Sequence, residues 1–344
     1  MIQRIKEIAM AGLASRPVSA VMSPLLRDRA CIFMLHRFRD PTSGLRGTHD
    51  PAVLRACLGE VRRARAPVLS LDELVTRVID GDEVKPGTIA FTMDDGFWDQ
   101  GEIGAETFLE FDIPVTIFLI TGLQDETLWP WDDRLAWIYE HSRAERLSIS
   151  FHGHRLAQVL SPNLDQRRSA MRETRSIFKT LPFIDLEPSL TALAQHAEVA
   201  VPERPPRIHR GIGWDNARSL ERRGIDFGPH SVSHGIISRM TESQARTELL
   251  EAWQRLKTEL QDPVSVYGWP TGRASDFGPR EISILREAGF RAAVATGDNY
   301  ADLKQGEVDA ALFRLQRFGL PNTLGKFVST RSWVGRARNA LKLN

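Results

Sequence analysis

From residue 31 onward the chain alternates short apolar runs with longer segments whose apolar residues recur every three or four positions. Runs of the first kind suit strands buried on both faces, and segments of the second kind suit helices with one face on a core. "CIFMLH" (31–36) reads as such a strand and "PAVLRACLGEVRRA" (51–64) as such a helix. The strand "PVLS" follows, then the helix "LDELVTRVI", with Ser70 and Glu73 spaced as a capping box. "GTIAFTMDDG" (87–96) reads as strand and loop, "GAETFLEF" as a helix, and "PVTIFLITG" (114–122) as a further strand.

This rhythm is lost between about Gln124 and Arg210. There "LWPWDDRLAWIYEHSRAERL" predicts an aromatic helix, "LDQRRSAMRETRSIFKTL" a charged one, and "VPERPPRIHRGIGW" a proline-rich return. Strand-like runs resume without a linker, so 124–210 reads as an insertion of helices and loops inside one domain. "GIDFGPH" restarts the series, Thr241 and Gln244 cap a long helix, "VSVYGWP" is a strand, "PREISILREAG" a helix stopping at Gly289, and "FRAAVATG" a strand. The pattern is that of an α/β fold with a (β/α) barrel-like architecture, in which chemistry collects at the C-terminal ends of strands. It divides the chain into an N-terminal helical segment (1–30), one domain (31–330) carrying the insertion, and a C-terminal tail (331–344).

Lys+Arg 45 against Asp+Glu 44 leaves a formal charge of +1, which gives no global field for nucleic acid. Two cysteines, Cys31 and Cys57, have neither metal-type spacing nor enough partners for a disulfide framework, so a cytoplasmic setting is the expectation. The N-terminal stretch is basic, and its apolar part is broken at Arg16-Pro17. Ile2, Ile5 and Ile8 at helical spacing suit a helix docking on its own domain or a partner; peripheral membrane contact and a cryptic signal are the alternatives.

Candidate chemistry begins at Asp94 and Asp95, side by side at the end of an apolar run. In a regular strand, neighbouring side chains point to opposite faces, so one acid is driven toward the core. Adjacent like charges also raise each other's cost of ionising unless a cation or a shared proton relieves them. His230 and His234, four apart directly after another strand, read as two imidazoles on one side of a helical turn that reach a single ion. Two imidazoles and one carboxylate leave coordination positions open for water and substrate, and the second carboxylate is then free to take a proton.

On these residues the chain resembles the polysaccharide deacetylases of the NodB-homology group, carbohydrate esterase family 4. "FTMDDG" is similar to that family's first motif, T-F-D-D-G, and "HSVSH" to its second, H-[ST]-x-x-H. The third, R-x-P-[YF]-G, corresponds to Trp269-Pro270-Thr271-Gly272, and "FMLHRF" resembles the "LMYHRV" opening of many members. The resemblance implies an irregular TIM-type barrel. It also implies Asp95, His230 and His234 as ligands of a divalent metal, zinc by default, and Asp94 as the general base. Thr92 and Gly96 would shape the motif backbone, and a backbone N–H near Gly96 or Phe97 would stabilise the oxyanion. The family's late catalytic histidine is missing, since no histidine follows His234; His36 is the implied general acid, with a buried core histidine as the other reading.

Trp269 takes the place of the motif arginine, where it would support the base or line a sugar subsite with Pro270 and Gly272. Arg273 is a substitute charge partner or a surface salt bridge. Trp98 is a pocket candidate for stacking on a pyranose, Asp99 a solvated loop acid or a contact for sugar hydroxyls, and Trp137 a core residue. The implied activity is removal of N-acetyl groups from an amino-sugar glycan or lipid-linked oligosaccharide in surface or exopolysaccharide biosynthesis, with water held by the metal attacking the acetyl carbonyl. The alternatives are an amidohydrolase on a small non-sugar amide and a non-catalytic glycan-binding subunit.

Overall fold

The computed structural model describes residues 22–40, 45–304 and 311–342. The N-terminal stretch with Ile2, Ile5 and Ile8 therefore lies outside the described residues. In chain order the main strands are β1 Arg29–Leu35, β2 Ile89–Asp95, β3 Thr116–Leu119, β4 Arg146–Phe151, β5 His154–Val159, β6 Asp226–Pro229, β7 Val266–Gly268, β8 Ala292–Thr296 and β9 Leu315–Gly319. The helices that matter here are α1 Pro51–Ala64, α2 Leu71–Asp80, α3 Glu106–Glu110, α4 Trp131–His141, α5 Leu164–Phe178, α6 Phe183–His196, α7 Trp214–Glu221, α8 Glu242–Glu259, α9 Pro279–Glu287, α10 Leu324–Thr330 and α11 Trp333–Lys342.

Seven strands run in the order β6-β3-β2-β1-β9-β8-β7 with every neighbouring pair parallel, and a two-residue eighth strand, Ala301–Asp302, joins the sheet antiparallel to the start of β1. The Val264 N–H donates to the Phe227 carbonyl at 2.8 Å, tying the approach to β7 back to β6, so the sheet curls into a near-closed (β/α) barrel. The apolar runs of β1 and β2 are explained by burial on both faces. Ala30, Ile32, Ala90 and Phe118 pack in one cluster with Val294, whereas Cys31, Phe33, Leu35, Phe91 and Ile117 pack in another under α1 and α3. Ser70 caps α2 by accepting from the Glu73 N–H, while the Glu73 carboxylate pairs with Arg77 in place of completing the box, and the Thr241–Gln244 box caps α8 as its spacing predicts.

Three readings are corrected. "PVLS" is not a strand and contributes only an isolated bridge from Val68 to Ile89. The 124–210 stretch holds α4, α5 and α6 but also an antiparallel hairpin of β4 and β5, with a core of its own around Trp131, Leu135, Tyr139, Ile149, Phe178 and Leu190. The segment read as a C-terminal tail carries α11. Among the described residues, no helix is long and apolar enough to cross a membrane.

Candidate active site

Because the barrel strands are parallel, their C-terminal ends share one rim, and the polar residues of β1, β2, β6, β7 and β9 meet there. Asp94 keeps the pleat of β2 and faces Arg317 on β9. The contact is bidentate, Arg317 Nη1 to Oδ1 at 2.6 Å and Nη2 to Oδ2 at 2.8 Å. Both side chains are buried, at 0% exposure for Arg317 and 4% for Asp94. Arg317 Nη1 also donates to Thr92 Oγ1 at 3.0 Å, and that hydroxyl donates to the Phe33 carbonyl at 3.1 Å, so Thr92 is a strut between strands. Burial alone would raise the Asp94 carboxyl, but Arg317, His230 and His36 outweigh it and hold it at about 2. Asp94 is therefore ionised and has a fixed orientation. His36, just past β1, places Nε2 3.8 Å from Asp94 Oδ2 and is 39% exposed.

Asp95 leaves the pleat. Its φ of 88° is a left-handed conformation costly for a non-glycine residue, and such strain persists where the surroundings enforce it. Gly96 follows at φ 75°. The Asp95 carboxylate meets His230 Nε2 at 3.6 Å and His234 Nε2 at 3.4 Å. Asp95 Oδ1 is buried without a hydrogen-bond partner. One atom from each of the three residues lies within 4.8 Å of the others, all three residues being buried. Converging lone pairs just beyond hydrogen-bond reach of one another, with an orphaned carboxylate oxygen among them, fit a divalent cation of the borderline kind that takes imidazole and carboxylate together.

The two histidines are not on a helical turn. They flank an irregular loop in which Ser231 and His234 take φ of 65° and 61°. Glu248 on α8 braces that loop, accepting from the Val232 and Ser233 N–H groups at 3.0 and 2.9 Å and from Ser233 Oγ at 2.6 Å. His230 Nδ1 is 2.7 Å from the Gly268 carbonyl at the end of β7, which selects the tautomer whose Nε2 lone pair faces Asp95. Burial, with His234 adding to it, lowers the His230 imidazole to about 4 against the pull of Asp94 and Asp95, so it is neutral and able to ligate. His234 Nδ1 lies 3.4 Å from Asp132 Oδ1.

The remaining sequence candidates fall elsewhere. Trp269 is 1% exposed and stacks on Phe277 at 4.4 Å, with its indole N–H donating to the Phe313 carbonyl, so it is core and lines no sugar subsite. Pro270 is buried, and Gly272, at φ 67°, makes the turn that lets the Thr296 N–H reach the Gly272 carbonyl at 2.8 Å. Arg273 is exposed, and the charge partner of Asp94 is Arg317 instead. Trp98 is half-buried and lines a small cleft with Gly101, Glu102, Ile212 and Asn216, none of them in the acid–histidine cluster. Asp99 is buried and accepts from Arg37 Nε at 2.8 Å and the Phe38 N–H at 2.6 Å, which makes it a brace for the end of β1. The Gly96 N–H donates to Gln100 Oε1 at 3.0 Å and so is already engaged. Trp137 is half-buried and stacks on His141 at 3.6 Å.

Sequence reasoning missed Arg317, Glu248 and Asp132. "LWPWDDRL" is a second Asp-Asp pair at the start of a helix, a signal that was present; nothing local to Arg317 distinguishes it from a surface arginine.

Residues 81–293, more than half of the chain, match the family model for polysaccharide deacetylase. The span contains Asp94, Asp95, His230 and His234 and leaves His36 and Arg317 outside it. Solved structures of similar fold include the Streptococcus pyogenes deacetylase PplD in complex with acetate, at 13% identity over 89% of this chain and 99% of that one, TM-score 0.57. IcaB from Ammonifex degensii is 12% identical over 89% and 97%, TM-score 0.54, and the BpsB deacetylase domain from Bordetella bronchiseptica 12% over 85% and 95%, TM-score 0.50. No curated protein matches the chain in sequence.

Proposed function

The chain belongs to the polysaccharide deacetylase family and is a carbohydrate deacetylase; from that membership we propose that it removes N-acetyl groups from an amino-sugar glycan or lipid-linked glycan precursor, using a divalent cation held by Asp95, His230 and His234. The observation that carries this reading is the different placement of the two adjacent aspartates. Asp95 offers an unpartnered oxygen to two imidazoles, while Arg317 holds Asp94 beside them.

A cation in that donor set would supply Lewis-acid polarisation of the acetyl carbonyl and make water acidic enough to attack near neutral pH. The protein's residues account for the proton movements. Asp94, ionised at neutral pH and fixed by two charge-assisted hydrogen bonds, accepts the proton of the attacking water. His36 stands beside it at the exposed edge of the rim, where a glycan approaches, and donates a proton to the departing amine nitrogen. The C–N bond breaks, acetate leaves, and the sugar retains a free amine. Phe97 N–H is the candidate oxyanion donor from this loop, since that of Gly96 is bound to Gln100.

The test is acetate release from N-acetylated oligosaccharides by Asp94→Asn, with zinc affinity measured in parallel. Loss of a positioned base costs about a hundred- to ten-thousand-fold in rate. The variant should lose that much turnover and keep zinc affinity within a few-fold; turnover at the wild-type rate would refute the base assignment.

A further inference from the structure

The insertion between β3 and β6 reaches the acid–histidine cluster with two consecutive residues at the start of α4. Trp131 donates its indole N–H to the His234 carbonyl at 3.2 Å. Asp132 places Oδ1 3.4 Å from Nδ1 of the same histidine, on the opposite side of the ring from Asp95. The other Asp132 oxygen accepts from Arg175 on α5, and Trp131 stacks on Phe178, also on α5, with ring centroids 6.1 Å apart and planes 12° from parallel. One helix of the insertion therefore holds the backbone of His234 and sets a carboxylate against the buried Nδ1 of its imidazole, which has no hydrogen-bond partner among the described residues, and a second helix holds the first in place.

We infer that the insertion is part of the metal centre, with Asp132, anchored by Arg175, acting as the positioning residue that fixes the His234 imidazole for zinc. This rests on reading Asp95, His230 and His234 as zinc ligands. A ligand imidazole needs its second nitrogen held so that the first points at the ion, and a carboxylate there also raises the basicity of the ring. His230 has the Gly268 carbonyl for this purpose. His234 sits on an irregular loop at φ 61°, and Asp132 is the group facing its Nδ1. The neighbouring acid Asp133 faces away, toward His209 Nδ1 at 2.5 Å and Trp129 Nε1 at 2.5 Å, so the two acids separate ligand orientation from the docking of the insertion.

That separation gives the experiment. The zinc dissociation constant of the full chain is measured by competition with a chromogenic chelator for the wild type, Asp132→Asn and Asp133→Asn, and the visible spectrum of each cobalt-loaded protein is recorded. Asp132→Asn should weaken zinc about 10- to 100-fold and shift the cobalt bands, whereas Asp133→Asn should leave both at wild-type values. Arg175 Nε is buried, but the side chain as a whole is 39% exposed, so water can solvate part of its guanidinium once Asp132 is neutral and the variant should fold. If it does not, Arg175→Met gives the same reading, with weaker zinc by a smaller factor. Wild-type affinity in Asp132→Asn, or equal losses in both aspartate variants, would overturn the inference and leave the zinc site standing. A wild-type chain that binds no zinc would overturn the proposed function beneath it.

Discussion

Asp94 and Asp95 differ by one residue and by one backbone angle, and that angle divides their roles. Asp94 follows the alternation of β2 and meets Arg317; Asp95, at φ 88°, swings over the rim to the histidines. The Asp94–Arg317 pair is almost fully buried, and breaking such a pair leaves an uncompensated charge at a cost of about 3–5 kcal/mol. Arg317→Met should lose that much stability at pH 7. A carboxyl depressed to about 2 in the folded chain stabilises it above its unfolded value near 4, and this contribution is lost as the pH falls through about 2. The gap between variant and wild type in unfolding free energy should therefore be full at pH 7 and close below about pH 4; a gap constant down to pH 2 would contradict the assignment. The two acids and two histidines were legible in the sequence because each pair is local, within two or five residues. Arg317 was not, because its partner lies 223 residues away and the motif position expected to carry the arginine holds the core residue Trp269.

Among the elements, the turn after β2 is closely constrained. A Cβ on Gly96 would lie 2.4 Å from Leu119 Cδ2 and 2.9 Å from Gln124 Nε2, in addition to the cost of φ 75°. Gly153, in the turn between β4 and β5, has a similar φ of 80° with nothing within 4 Å. Gly96→Ala should therefore lower the unfolding midpoint clearly more than Gly153→Ala, whose cost is conformational only, on the order of 1 kcal/mol. Equal shifts in a thermal melt would show that the close approach to Leu119 relaxes freely. The hairpin itself was readable. "RLSISF" alternates exposed and buried positions in the structure as it does in the sequence, and His152 and Gly153 both take positive φ in a two-residue turn. The charged helices around it masked that short period-two signal. The His-x-x-x-His spacing fits either a helix or a loop, and Glu248, on the next α-helix, selects the loop.

For the whole molecule, the parallel order of the sheet brings residues from both ends of the chain to one rim. β9 lies between β1 and β8, so Arg317 from the last strand and His36 after the first flank Asp94. The strand–helix rhythm predicted a barrel, but not its final strand, since "LQRFG" carries a buried arginine where an apolar residue is expected. The insertion is placed in the crossover between adjacent strands β3 and β6, within reach of His234. The most direct measurement is zinc titration into metal-stripped protein while acetate release from an N-acetylated oligosaccharide is followed, for the wild type and Asp95→Ala. The account predicts no release without metal, full recovery at one zinc per chain, and no recovery in Asp95→Ala. Undiminished release from the stripped wild type, or recovery in the variant equal to it, would contradict the account.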